Sequence, residues 1–190
     1  MLSRNVFALS MLALSTAAMA DSIDLNLRNS AAQFQYSTAM GRDALGNTEL
    51  HVGALYSNAS NVNNTLVDLG VAVKDELGDN APGFSVGVGI KGLAGHTAGT
   101  NESAIALGGM LRYSPPDLSR MGIIGQVYVS PNITTFGDAD RYVETGLRVE
   151  YQVIPSAAAY IGYRDIKFNL NTGPNVTVDQ GVFVGVRMSF

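Results

Sequence analysis

Apolar and polar residues alternate with a period of two along almost the whole stretch from Asp21 to Phe190. Ile23, Leu25 and Leu27 alternate with Asp24, Asn26 and Arg28; Phe34, Tyr36, Thr38 and Met40 follow the same rule. Leu50, Val52, Ala54 and Tyr56 alternate with Glu49, His51 and Gly53, and Val67 to Val73 with Asp68 to Lys74. The pattern returns at Phe84–Lys91, Ile105–Tyr113, Ile123–Val129, Val143–Val153 and Val182–Phe190. A period of two is the signature of strands with one apolar face. Residues 158–170 change parity: Ile161 and Tyr163 share one face, Ile166, Phe168 and Leu170 the other. A one-residue bulge near Asp165 would bring all five to one side.

The pattern predicts ten strands. They are separated by turn-rich segments at Gly41–Gly46, Asn58–Asn64, Asp75–Gly83, Gly95–Asn101, Ser114–Arg120, Asn132–Asp140, Pro155-Ser156 and Asn171–Asn175, with a weaker break at Asn29–Ala32. A spacing of about 17 residues per strand and turn leaves strands of ~10 residues, the length that crosses a bilayer at a tilt. The expected fold is all-β: an antiparallel up-and-down transmembrane β-barrel of ten strands, with eight as the alternative.

Residues 1–20 are different. Arg4 precedes an apolar run from Val6 to Leu14, and Ala18-Met19-Ala20 presents small residues at the positions of a cleavage site. This is the layout of a secretory signal peptide, cut before Asp21. The expected organisation is therefore a signal peptide over 1–20 and one barrel domain over 21–190. No later run is long and apolar enough for a membrane helix, so a membrane form of residues 21–190 must be a closed barrel.

Composition supports the lipid-facing version of the barrel over a soluble one. Only 15% of the 190 residues are charged, 46% are hydrophobic and 21 are glycine. The polar faces carry Gly, Ala and Ser rather than the long charged side chains of a water-exposed sheet. The apolar faces are free of charge through their centres, where Arg or Lys against lipid would cost ~2–4 kcal/mol. The last strand, Val182-x-Val184-x-Val186-x-Met188-x-Phe190, resembles the sorting signal of bacterial outer-membrane barrels, which implies the barrel-assembly machinery as a partner. Tracing up and down places both termini in the periplasm. It gathers Phe84, Tyr113, Tyr151 and Phe190 as a periplasmic aromatic girdle.

The expected lumen carries five acids, Asp24, Glu49, Asp68, Glu144 and Glu150, and six bases, Arg28, Lys91, Arg112, Arg148, Arg164 and Arg187. Near balance points to mutual pairing in a narrow interior, because ten strands lie closer to the filled eight-strand barrel than to open porins. A narrow path for ions or small solutes is the sharper alternative.

Other chemistry is sparse. There is no cysteine, and 12 Lys+Arg stand against 16 Asp+Glu; this excludes disulfides and Cys-ligated metals, and nucleic acid is not expected as a partner. Gly87-Val88-Gly89-Ile90-Lys91-Gly92 matches a dinucleotide fingerprint but lies inside a strand, without the helix that such a site requires. Lys74-Asp75-Glu76-Leu77 is an internal, unread retention tetrapeptide. The N-x-[ST] triplets beginning at Asn58, Asn63, Asn101, Asn132 and Asn175 read as turn composition. Asp138 with Asp140, and Asp75, Glu76 and Asp79, match no known metal loop. No metal or cofactor is expected. His51, facing the lumen, and His96, in an outer loop, are the two histidines that a lipid-modifying hydrolase could use.

Arg112-Tyr113-Ser114-Pro115-Pro116-Asp117, Asp140-Arg141-Tyr142 with Tyr151-Gln152-Val153, and Tyr160-Ile161-Gly162-Tyr163-Arg164 resemble the YfaZ-like family of small Gram-negative secreted-precursor proteins. The resemblance implies an outer-membrane β-barrel with a cleaved signal and carries over no catalytic motif. The function expected from the sequence is a non-enzymatic outer-membrane protein in contact with lipid and lipopolysaccharide, with an envelope-structural or loop-based binding role. A small porin comes second and a hydrolase third.

Overall fold

The structure is a computed structural model that describes residues 21–43, 46–59, 62–78, 81–97, 99–170 and 175–190. The expected signal peptide and most of the Asn171–Asn175 turn lie outside the described residues. Eleven strands form one antiparallel sheet: β1 (Asp21–Arg28), β2 (Ala31–Asp43), β3 (Gly46–Ala59), β4 (Val62–Glu76), β5 (Phe84–Thr97), β6 (Thr100–Tyr113), β7 (Met121–Ser130), β8 (Thr135–Gly137), β9 (Ala139–Ile154), β10 (Ala157–Leu170) and β11 (Val176–Ser189). Ten of them close into a barrel through β1–β11 and β5–β6 pairing. The ends meet as backbone partners: Asp21 N–H donates to the Phe190 carbonyl at 3.0 Å, and Phe190 N–H returns the bond at 2.9 Å. Closure leaves the ring without a free edge.

Asp21 and Phe190 mark the terminal rim of the barrel; the opposite end is the far rim. Outward residues follow the predicted alternation, and Leu69, Leu107, Leu147, Val182 and Val184 are each more than half exposed. A continuous apolar exterior around a ring whose backbone is satisfied strand to strand is the construction of a membrane-spanning barrel. At the terminal rim the rings of Phe84 and Tyr113 stack with centroids 4.5 Å apart. Tyr151 and Phe190 are exposed at the same rim.

The structure corrects the sequence reading in four places. The β10 ladder against β9 is unbroken from Ala158 to Asn169, so no bulge occurs near Asp165 on that strand. The irregularity lies on β11, where Asp179 faces Ile166 and Thr177 faces Lys167, leaving Val178 between them. Ile166 and Phe168 therefore point inward, and Val178 and Asp179 are both buried although adjacent. Second, Asn132–Asp140 is not wholly a turn: β8 pairs with Glu102–Ala104 of β6, beyond the end of the β6–β7 ladder. Third, Asn58, Asn63 and Asn64 pair within the β3–β4 ladder, as do His96 and Asn101 within β5–β6, so these far-rim hairpins are short. Finally, His96 is part of β5 rather than of an outer loop.

Candidate functional site

The interior divides along the barrel axis. Toward the far rim, Leu55, Leu66, Leu93, Ala104, Ala106, Tyr142, Ile166, Phe168 and Val178 form one buried apolar cluster. Tyr142 and Phe168 are fully buried with ring centroids 5.0 Å apart. They come from strands all around the ring, so each fills space opposite another, as in a protein core. One ionic group flanks the cluster. Asp179 receives Arg164 Nη2 at 2.6 Å and Arg28 Nη2 at 2.7 Å, and Ser57 Oγ donates to it at 3.2 Å.

Toward the terminal rim the interior is ionic. A cavity of about 480 Å³ reaches rim residues such as Ser22, Asn47 and Ser189, and none of the cluster residues named above lines it. On one wall Arg112 and Arg187 both engage Glu150, the latter at 2.9 Å. Arg148 lies 3.9 Å from Glu150 and holds Asp24 at 3.1 Å. Tyr160 also donates to Asp24. On the other wall Lys74 holds Glu49 at 2.7 Å, and His51 Nε2 lies 3.6 Å from Asp68.

Between the two halves, Lys91 pairs with Glu144, which also accepts from Tyr142 and, at 2.9 Å, from Gln126. The Lys91 ammonium sits 4.5 Å from the centre of the Tyr128 ring, a cation–π placement. Small residues make room for these groups. A side chain at Gly108 would run into Tyr128, and one at Gly185 into Tyr160.

Each of the eleven lumen charges singled out from the sequence thus has a definite partner. Arg28 belongs with the apolar half, Arg164 reaches from Asp179 to the cavity, which it also lines, and the other nine lie with the cavity or its ceiling. Sequence reasoning left out Lys74, Asp179 and Glu102. Lys74 lies on the inward parity of β4 and could have been read there. Asp179 was hidden by the displaced bulge. Glu102 is buried near the far rim with the Thr97 and Thr100 hydroxyls as donors.

The chemistry available is binding and charge pairing. Ser37 lies opposite His51 in the β2–β3 register, and Asp68 is on the next strand. Yet Ser37 Oγ accepts from Gln35 at 3.2 Å, and no described hydrogen bond joins it to His51. His96 Nδ1 meets Asn101 at 2.9 Å on the far rim. Asp140 accepts from Asn132. No group of three or more His, Asp and Glu side chains converges among the described residues as a metal site would require.

Among solved structures the chain is similar to "KdgM porin", with a TM-score of 0.47 at 12% identity over 90% of this chain and 99% of that one. It is also similar to "KdgM porin in complex with disordered oligogalacturonate", with a TM-score of 0.46 at 11% identity over 90% and 99%. OmpT, an outer membrane protein of Vibrio cholerae, follows at 0.38 and 13% identity over 89% and 64%. No curated protein matches the sequence. The sequence profile described as "YfaZ precursor" matches residues 4–190, nearly the whole chain. The chain therefore belongs to the YfaZ precursor family.

Proposed function

We propose that this protein is an exported barrel of the Gram-negative outer membrane, with residues 1–20 removed as its signal peptide and the terminal rim facing the periplasm. Its outward apolar belt meets lipid and lipopolysaccharide. The outward residues Val182, Val184, Val186, Met188 and Phe190 serve as the signal for barrel assembly. In this reading the protein is not an enzyme. It is a narrow, porin-like barrel whose lumen takes in a small polar solute from the terminal rim and is shut at rest by the apolar cluster. The observation that carries the reading is the charged cavity of about 480 Å³ that opens at one rim and stops beneath that cluster. The β3–β4 and β5–β6 hairpins are short and offer little surface for binding by loops, which turns attention to the interior.

A second reading, a sealed structural barrel, is favoured by the dense pairing of the lumen charges. Planar-bilayer recording of refolded protein separates the two. Wild type should show no steady conductance. A variant combining Leu55→Ala, Leu66→Ala and Leu93→Ala should conduct, with heat-modifiable gel mobility reporting that it folds. A folded triple variant that stays silent overturns the solute path and leaves the sealed barrel. Steady wild-type conductance overturns closure at rest.

A further inference from the structure

The cavity is electrically lopsided, and this names a solute class. We infer that it binds a small zwitterion, with an amino acid or dipeptide as the chemical type, an inference that rests on the solute-admitting lumen proposed above. Three guanidiniums, from Arg112 on β6, Arg148 on β9 and Arg187 on β11, converge on two carboxylates, Glu150 and Asp24. These five groups carry one positive charge in excess, and Arg164 of β10, paired with Asp179, lines the same wall. The Arg112, Arg148 and Arg187 side chains are each between 25% and 31% exposed, whereas Glu150 is 2% and Asp24 13% exposed, so these cations face the open space more than either of their anions. Guanidinium offers five N–H donors in a planar fork that matches a carboxylate. Glu150 and Asp24 engage only a part of these.

Glu49, Asp68 and Glu76 line the cavity from β3 and β4. Lys74 is held by Glu49, and His51 faces Asp68. Among the described residues Glu76 makes no ion pair. With or without a charge on His51, these three carboxylates and Lys74 give this wall an excess of negative charge. In the closed ring of ten strands, the order β5-β4-β3-β2-β1-β11-β10-β9-β7-β6 sets β3 and β4 across from β9 and β10. The positive and negative walls therefore face each other over the cavity. A simple anion would be attracted by one wall and repelled by the other, and so would a simple cation. A molecule with both charges is favoured at both ends, which is selection by complementary and repulsive contacts together. The volume of about 480 Å³ lies in the range of small-molecule sites.

The test is calorimetric titration of the refolded barrel in micelles with three probes: glycylglycine, N-acetyl-glycylglycine and glycylglycine amide. The zwitterion should bind saturably, and each singly charged analogue should bind about tenfold more weakly, the loss expected for one charge-assisted hydrogen-bonded contact. Glu76→Gln should weaken glycylglycine and leave the acetylated probe, which has no ammonium to lose a partner and is relieved of one repulsive charge, unweakened or slightly tighter. Arg187→Gln should weaken glycylglycine and leave the cationic amide unweakened or slightly tighter. If Arg187→Gln does not refold, the rim variant Glu76→Gln still decides. Equal binding of the three probes, or no binding of glycylglycine at millimolar concentration, overturns the inference. The bilayer experiment reports separately. A triple leucine variant that conducts while the probes bind alike keeps the solute path and removes the zwitterion site. A silent variant that still discriminates the probes removes the path and keeps the site.

Discussion

The two halves of this lumen are made by the same strands and enclosed by the same apolar exterior, yet they solve opposite problems. Beneath the far rim, side chains of Leu, Ile, Phe, Tyr and Val meet at the axis and exclude water, as the core of a soluble domain does. Beneath the terminal rim, guanidiniums and carboxylates line open space. The outward faces cannot vary, because lipid meets them along the whole span. The inward faces are free to vary, and the change of interior chemistry along the axis is where function can reside. An apolar half gives the barrel a packed core. An ionic half gives it a place where a polar solute can rest.

If the far half is core-like, its one ion group must be sensitive to loss of a partner. Asp179→Ala leaves the guanidiniums of Arg164 and Arg28 facing each other in a buried site. Breaking a buried ionic group by removing one partner costs about 3–5 kcal/mol. Urea unfolding of the refolded barrel in micelles, followed by circular dichroism, should show a loss larger than that of the partly exposed cations Arg148 or Lys74 removed from the ionic half. A loss below about 1 kcal/mol, the range of exposed pairs, would mean that this half is wet.

The apolar residues beside that group test the same contrast by packing. Phe168 is fully buried against Tyr142. Phe168→Ala should cost about 3–5 kcal/mol, at the upper end if the cluster cannot collapse into the space. The equivalent truncation of Phe183, which borders the cavity, should cost less, because open space already adjoins it. Equal losses at both positions would erase the distinction between the halves.

The sequence displayed the exterior far better than this division. Outward residues had to form continuous apolar rows, so Leu25-x-Leu27 or Val182-x-Val184-x-Val186 could be read from one strand alone. The apolar cluster could not be read in this way. Leu55, Leu66 and Leu93 each stand singly on an inward face among Gly, Ser and Asp, and only cross-strand register assembles them. The parity slip between β10 and β11 shows the same limit. Ile166 and Phe168 looked outward on the assumption of a bulge in β10, whereas the extra residue is Val178 of β11. A slip between two strands has two possible homes, and the pattern of one strand does not choose. The charges of the candidate cavity were visible as inward residues; their segregation into opposing walls depends on ring order, which composition does not contain.

The exterior supplies a control that should be blind to the interior boundary. Ile90 is exposed to lipid near the middle of β5, whereas Phe84 begins the strand at the terminal rim. Ile90→Arg should cost ~2–4 kcal/mol and Phe84→Arg ~0–1 kcal/mol, a dependence on depth alone. A cost at Ile90 as small as at Phe84 would mean that the belt does not meet hydrocarbon there. In the ionic half, Arg148→Met removes the contacts to Asp24 and Glu150 while Arg112 and Arg187 continue to hold Glu150. The expected loss is about 1.5–3 kcal/mol, the range of hydrogen bonds to charged groups. A larger loss, matching Asp179→Ala, would make this half as dry as the other.

The smallest effect is the most specific to the ionic half. Lys74 and Glu49 pair at 2.7 Å beside the cavity, with about a third of each side chain exposed (32% and 28%). Water that enters from the terminal rim screens such a pair, so its net contribution should be about 0–1 kcal/mol and should fall as salt is raised. Lys74→Met should therefore barely move the urea midpoint at high salt and lower it slightly at low ionic strength. Asp179→Ala should destabilise by the same amount in both, because counterions do not reach a group buried beside the apolar cluster. If instead the two variants respond to salt alike, solution reaches both ends of the interior equally and the cluster does not seal the barrel.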